Sequence, residues 1–133
     1  GDVYKRQIGS ASSGQYSSSD IYLLAKVIAA EARGEPYIGQ VAVGAVVLNR
    51  VQHASFPDSI AGVVYQPGAF SCVNDSNWST EPTAQSRKAA QDAINGWDPS
   101  GGAIYYYNPA KTSNKWIRTR PVIQTIGAHV FCK

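Results

Sequence analysis

One glutamate in this sequence is placed where a carboxyl group could donate a proton. Counted from Leu24, apolar residues recur three and four positions later and Glu31 follows at seven, the spacing of one helix face that packs against a core. Glu31 is therefore expected to point inward, where partial desolvation disfavours its charged form. The pattern predicts a general acid. The alternative is a solvated helix end, at which Glu31 pairs with Arg33 or a lysine.

A buried acid of this kind suits the cleavage of a glycosidic bond, which needs a protonated group beside the leaving oxygen. Most enzymes that cleave such bonds use a second carboxylate as nucleophile or base. Glu35 lies one turn beyond Glu31, but Gly34 between them leaves its position open, and the other acidic residues nearby suit helix capping better. An N-acetylated sugar can supply its own nucleophile through the acetamide group, so a single carboxylate narrows the substrate without excluding the reaction.

Aromatic and amide side chains that could hold a sugar accompany this acid. The expected sugar-binding residues are Gln40, Phe70, Tyr105, Tyr106, Asn108 and Trp116. Because side chains alternate along a strand, Tyr106 is expected to face the sugar, with Tyr105 and Tyr107 on the opposite side. A strand that anchors its rings in the core is the alternative.

These residues predict a groove over Glu31, with the turn at 34–40 and the strand at 103–108 as its opposite walls. Tyr106 is expected to line the groove, whereas Trp116 is expected to lie mainly in the core. Gln40 would reach a bound acetamide or steady Glu31; the alternative is an amide at a helix start that only satisfies backbone groups.

Other common sites find little support in the sequence. His53 and His129 lie far apart, and neither accompanies a serine or cysteine in a nucleophile motif. Cys72 and Cys132 lack the spacing of zinc ligands, so we expect no metal and no cofactor; the two form one disulfide or remain free thiols. Gly101–Gly102 precedes a strand and not a helix, which is the wrong order for a phosphate loop.

Length and charge restrict the partners. A chain of 133 residues suits one domain, and no apolar run approaches the roughly 20 residues of a membrane span. The net charge of +3 favours an anionic partner only mildly, and the absence of a dense Lys/Arg cluster argues against nucleic acid. An acidic cell-wall polymer would suit this charge. We expect a monomer.

The first half of the chain predicts a tail and two helices. Residues 1–19 are rich in Ser and Gly and are expected to be a disordered linker or tail, with a single catalytic domain at 20–133. Asp20 is the predicted N-cap of a helix at 21–33. Residues 40–52 are apolar on nearly every side, which predicts a central buried helix.

The middle of the chain predicts two further helices joined by a long loop. A short helix is expected at 58–65, followed by a loop rich in Pro, Gly and Asn that runs to residue 79. Thr80 is expected to cap a long helix, with Pro82 in its tolerated first turn and Gly96 at its end.

The last third changes to strand-forming residues. A strand is predicted at 103–107, and two more extended segments near 115–118 and 121–131 are interrupted at Pro121 and Gly127. Helices followed by a small antiparallel sheet make an α+β fold that is mainly helical.

Four stretches of the sequence carry a family resemblance: AEARGEPYIGQVAVGAVVLNRV, SIAGVVYQPGAFS, AINGWDPSGGAIYYYNP and WIRTRPVIQTIGAHVF. They closely resemble the catalytic domain of the spore cortex-lytic cell-wall hydrolases, the SleB-type germination enzymes, over nearly all of residues 20–133. The resemblance implies a lysozyme-like fold similar to that of lytic transglycosylases. It also implies cleavage between N-acetylmuramic acid and N-acetylglucosamine, with a 1,6-anhydro end formed by the muramic 6-hydroxyl. In that family the glutamate that opens the E-A-R-G-E motif is the catalytic acid/base, which is Glu31 here.

The same resemblance implies an exported protein whose partner is the glycan strand of peptidoglycan, in the spore cortex or cell wall. Two departures from the family pattern bear on this expectation. Many members carry an acidic residue where this chain has Ile38, which removes any catalytic role for that position. Full-length relatives also carry an N-terminal peptidoglycan-binding module, so weaker anchoring is expected for this chain. The alternatives are hydrolysis of the same bond by water, as in a muramidase, and a glycan-binding module without catalysis.

Overall fold

The computed structural model describes residues 16–133, apart from the side chain of Asn77. Within this part of the chain, four α-helices precede a three-stranded antiparallel sheet, which confirms the predicted α+β fold. The helices are α1 (Ser18–Glu31), α2 (Tyr37–Gln52), α3 (Ile60–Val64) and α4 (Ala84–Ile94). The strands are β1 (Tyr105–Tyr107), β2 (Val122–Ile126) and β3 (His129–Cys132). The tail predicted for residues 1–15 lies outside the described residues.

Helix α1 begins earlier than predicted, because Ser17 and not Asp20 is its N-cap. The Ser17 hydroxyl accepts a hydrogen bond from the Asp20 N–H, and the Asp20 carboxylate accepts one from the Ser17 N–H, each at 3.1 Å. This reciprocal capping box satisfies two backbone donors that the helix itself leaves unpaired. Tyr16 also packs against the core, so residues 16–19 belong to the folded part and not to the expected linker.

Helix α2 is the central buried helix that its sequence predicts. All of its residues from 39 to 50 are buried, and it packs against α1, α3 and α4. Gly44 permits the closest approach, since a Cβ there would lie 2.9 Å from Ile28 Cδ1 and 3.4 Å from Ala93 Cβ. Each valine or leucine buried in this way contributes roughly 1.5–3 kcal/mol to folding, so α2 fixes the positions of the helices around it.

The start of α4 differs from the prediction. Its N-cap is Thr83, whose hydroxyl accepts from the Ser86 N–H at 2.9 Å, while the Ser86 hydroxyl accepts from the Thr83 N–H at 2.9 Å. Thr80 was the expected cap, but Glu81 stands directly before Pro82, and that position disfavours the helical backbone. The helix therefore starts after the proline.

The C-terminal third forms the sheet in the order β1-β3-β2, with β1 as an edge strand. Gly127 makes the turn between β2 and β3 at a φ of 58°, where a side chain would be strained. The strand expected near 115–118 is wrong: Ile117–Thr119 forms a 3₁₀ turn instead. The Asn114 side chain accepts from the Ile117 N–H at 3.1 Å, and this local cap overrides the strand preference of the apolar residues.

Two open questions from the sequence are answered by the fold. Cys72 and Cys132 are both buried and both free, so the two-thiol alternative is confirmed. None of the helices in the described region combines the length and hydropathy needed to cross a membrane.

Candidate active site

Glu31 is the last residue of α1 and faces a cavity of about 510 Å³, defined here as the Glu31 cavity. Its side chain is half-buried, and its Oε1 accepts a hydrogen bond from the Tyr106 hydroxyl at 2.5 Å. Arg33, the alternative partner, lines a separate cavity on the other side of α1. The acid is thus fixed by a tyrosine and open to a space large enough for sugar residues.

The Tyr106 hydroxyl remains a hydrogen-bond donor over the whole neutral range. Burial, followed by the negative charge of Glu31, raises the pKa of Tyr106 well above its ordinary value. The ring is held from the sides by Phe131 and His129, at centroid distances of 5.8 and 4.9 Å. Tyr106 therefore orients one carboxylate oxygen of Glu31.

The walls of the Glu31 cavity differ from the predicted pair. One wall is β1 and the loop behind it, with Tyr106 and Asn108 as expected, and Tyr107 lines it as well. The facing wall is the segment 68–72, which includes Phe70, and not the turn at 34–40. Phe70 is only 3% exposed, so it supports this wall mainly from the core side. Asn108 uses its Oδ1 to accept from the Ala110 N–H at 2.9 Å, which leaves its amide donors toward the cavity.

A second hollow of about 310 Å³ adjoins the first and is defined here as the aromatic cavity. Its distinctive lining residues are Phe56, Tyr105 and Trp116, and it shares Tyr106 and Tyr107 with the Glu31 cavity. The two hollows together form one groove along β1. All three tyrosines of β1 line this groove, so the expectation that Tyr105 and Tyr107 face away from it is wrong. The strand is only three residues long and lies at the sheet edge, so strict alternation between two faces does not decide which rings reach the groove.

The expectation that Trp116 lies mainly in the core is wrong. Trp116 is 51% exposed and packs edge-on against Tyr105 at a centroid distance of 5.3 Å. Since the segment is a 3₁₀ turn and not a strand, Ile117 takes the buried position and Trp116 is left on the groove surface.

The structure does not bring Gln40 to the groove. Its Nε2 donates to the Glu35 carbonyl at 3.1 Å and to Gln85 Oε1 at 2.6 Å. Its position in the separate cavity beside Arg33 matches the alternative of a helix-start amide that satisfies its neighbours. The remaining predicted residues, Phe70, Tyr105, Tyr106, Asn108 and Trp116, do converge on the groove with Glu31.

Glu35 does not line the groove either. Its Oε1 accepts from the Ala128 N–H at 3.0 Å and lies 3.8 Å from His129 Nδ1, so it holds the β2–β3 turn against the start of α2. The other acidic residue that lines the Glu31 cavity is Asp75, an exposed residue at the end of the 3₁₀ turn Ser71–Asn74. Glu31 is thus the carboxylate that the fold orients inside the groove.

The groove residues that escaped the sequence reasoning include Arg50, Cys72 and His129. Burial, then the charge of Glu31, raises the pKa of the Cys72 thiol to about 12, so it stays protonated beside the acid. Burial lowers the pKa of His129, against the opposite effects of Glu35 and Glu31. Arg50 did leave a signal, since it is a charged residue in an otherwise apolar helix; the other two left none.

Comparison with known proteins identifies the family. A sequence profile described as Cell Wall Hydrolase matches residues 34–132 of this chain. The chain belongs to the cell wall hydrolase family. The spore cortex-lytic enzyme of Bacillus cereus is 54% identical over 118 residues, which are 89% of this chain and 46% of that protein. The chain therefore spans about half the length of the curated relatives it matches.

Solved structures of this family agree with the fold. The crystal structure of the catalytic domain of the Bacillus cereus SleB protein is 54% identical, with a TM-score of 0.84 over 89% of this chain and 92% of that one. The catalytic domain of the germination-specific lytic transglycosylase SleB from Bacillus anthracis is 53% identical, with the same TM-score, over 89% and 97%. The predicted resemblance to SleB-type cell wall hydrolases is confirmed.

Proposed function

We propose that this domain is a lytic transglycosylase that cleaves spore-cortex peptidoglycan between N-acetylmuramic acid and N-acetylglucosamine during germination. The observation that carries the proposal is Glu31, held by the Tyr106 hydroxyl inside an open groove. The names of the similar proteins, a spore cortex-lytic enzyme and a germination-specific lytic transglycosylase, support the same reaction.

In this reaction one carboxyl group serves both steps. Protonated Glu31 gives its proton to the glycosidic oxygen as the bond from that oxygen to the muramic C1 breaks. The resulting carboxylate then takes the proton of the muramic 6-hydroxyl, whose oxygen forms the new bond to C1. No water enters the product, and Glu31 is protonated again at the end. Positioned acid–base catalysis of this kind contributes roughly 10²–10⁴ in rate.

The groove supplies the contacts that a glycan needs. Tyr105 and Trp116 offer apolar faces for sugar rings in the aromatic cavity, and Tyr106 orients the acid beside them. The amide of Asn108 can donate to an acetamide carbonyl, and Phe70 forms the apolar backing of the opposite wall. These five residues are proposed as the substrate-binding set, and Gln40 is not among them.

The proposed function also implies a cellular location and an oligomeric state for the domain. Cortex peptidoglycan lies outside the cytoplasm, so an exported protein is implied. The reaction as proposed needs no residue from a second copy, and we propose that the domain acts as a monomer. Size-exclusion chromatography with light scattering tests this inference, and a stable dimer with a covered groove would contradict it.

A muramidase that uses water is the competing reaction, because Asp75 also lines the Glu31 cavity and could serve as a base. The test is digestion of isolated cortex by the wild type, Glu31→Gln and Asp75→Asn. We expect Glu31→Gln to release no soluble fragments and Asp75→Asn to retain most of the wild-type rate. Loss of activity in Asp75→Asn, with an unchanged melting temperature, would favour the muramidase instead. Binding to cortex without release of fragments by the wild type would favour a binding module.

A further inference from the structure

The floor of the groove contains a buried cation. Arg50, near the end of α2, is only 8% exposed. Its Nε donates to the Ile104 carbonyl at 2.7 Å, which ties α2 to the segment that enters β1. The rings of Phe56, Phe70 and Tyr105 surround the guanidinium, with centroids 5.1, 5.3 and 5.6 Å from its Cζ.

This cation has hydrogen-bonding capacity that its protein neighbours do not use. Among residues 16–133, neither Nη1 nor Nη2 of Arg50 donates a hydrogen bond, and no carboxylate lies within ion-pair distance of it. Burial lowers the pKa of the Arg50 guanidinium, although the group stays charged at every physiological pH. The negative charge of Glu31 offsets part of the cost of burying this cation, and an anion that reaches the two Nη groups would offset more of it.

The position of Arg50 limits which part of a bound ligand could contact it. It lines both the Glu31 cavity and the aromatic cavity, and so lies beneath the place where the two join. A sugar that rests on Tyr105 and Trp116 would direct a ring substituent down to this point. Lys111 adds a second positive charge to the Glu31 cavity, where the two cations face the carboxylates of Glu31 and Asp75. Of these groups Arg50 is the one that both cavities share, so it is the cation that a substituent at their junction would meet.

We propose that Arg50 binds the carboxylate on the lactyl arm of a muramoyl residue, through the edge of the guanidinium that Nη1 and Nη2 form. The inference rests on the proposed function, because it assumes that the groove holds peptidoglycan. The carboxylate is either that of the lactyl group itself or that of the first amino acid attached to it. A bidentate arginine–carboxylate pair fits both sources, whereas a neutral N-acetylglucosamine residue offers no such group.

The test compares each acid with its own methyl ester. N-acetylmuramic acid, N-acetylmuramoyl-L-alanine and their esters are titrated into the isotope-labelled domain, and dissociation constants are read from amide chemical shifts. Because hydrogen bonds to a charged group are stronger than those between neutral groups, we expect at least one acid to bind about tenfold more tightly than its ester. The acid with the larger preference identifies the source of the carboxylate.

The variants assign the preference to Arg50. Arg50→Met should abolish it, and Arg50→Lys, which keeps the charge but loses the planar fork, should reduce it several-fold. Arg87→Met is the matched control, because Arg87 is an exposed arginine on α4 that packs over Tyr22 and lies outside the groove. It should keep the full preference.

Two results would overturn the inference. One is equal binding of acid and ester to the wild type, a comparison that holds even where Arg50→Met fails to fold. The other is an unchanged preference in folded Arg50→Met or Arg50→Lys. Release of soluble fragments from cortex is measured in parallel, so that failure of this inference is told apart from failure of the proposed function.

Discussion

Removing one hydroxyl group from the groove should lower the rate without unfolding the protein. In Tyr106→Phe the donor to Glu31 Oε1 is lost, while the ring contacts with Phe131 and His129 remain. A hydrogen bond to a charged group is worth about 1.5–3 kcal/mol. If this bond orients the acid in the transition state, kcat should fall roughly 10- to 100-fold. The KM should change little, because the hydroxyl is already occupied by Glu31.

The assay is the initial rate of fragment release from soluble, decrosslinked cortex glycan, fitted for kcat and KM. Tyr105→Phe is the matched control: it removes the neighbouring hydroxyl, which lies in the aromatic cavity away from Glu31. We expect its kcat to stay within about twofold of the wild type, since no contact with the acid is lost. Both variants should stay folded at the assay temperature. The free energy of unfolding of Tyr105→Phe should lie within about 1 kcal/mol of the wild-type value, and that of Tyr106→Phe should fall by no more than the hydrogen bond contributes, about 1.5–3 kcal/mol.

The reasoning would be refuted if Tyr106→Phe kept the wild-type kcat while Tyr105→Phe lost it. It would also be refuted if Tyr106→Phe lost activity only by unfolding, which a lowered melting temperature would reveal. In the first case the hydrogen bond to Glu31 is not part of catalysis. In the second, Tyr106 is a structural residue.

Two further predictions follow from burial in the structure. Trp116→Ala should lower kcat/KM by the equivalent of roughly 1–3 kcal/mol, the value of a lost apolar contact, and leave the melting temperature nearly unchanged. Phe131 is fully buried, so Phe131→Ala should lower the free energy of unfolding by about 3–5 kcal/mol. If the two variants were equally destabilised, Trp116 would have to be a core residue. Because burial lowers the pKa of His129 from 6.5, the unfolded chain binds more protons below that pH, and the free energy of unfolding should fall as the pH drops through 6.5 toward the folded value. Chemical denaturation at several pH values measures this slope, which His129→Gln should diminish; a slope that survives unchanged would assign it to another group.

Features that depend on local sequence were predictable. The apolar spacing before Glu31 placed the acid on the inner face at the end of α1, and the run 40–52, apolar on nearly every side, identified α2. The helix caps were harder to predict, because several serines, threonines and acidic residues near each helix start could serve as the N-cap. Ser17 with Asp20, and Thr83 with Ser86, win because each pair satisfies two backbone donors and not one.

Features that depend on distant contacts could not be predicted. Gln40 is turned away from the groove by Gln85, a residue 45 positions away. Arg50 becomes a groove residue only because Ile104 and the rings around it fold over the end of α2. Trp116 was misplaced for a different reason: the cap from Asn114 replaced a strand by a 3₁₀ turn, which shifted inward and outward positions by one residue.

The most direct test of the account is the fate of water in the reaction. Cortex glycan is digested in water labelled with heavy oxygen, and the product ends are weighed by mass spectrometry, with Glu31→Gln as the inactive control. The account predicts anhydro ends that are one water lighter than reducing ends and carry no heavy oxygen, since the muramic 6-hydroxyl is the attacking group. Reducing ends that carry heavy oxygen would contradict it, because they would show that water and not the substrate completes the cleavage at Glu31.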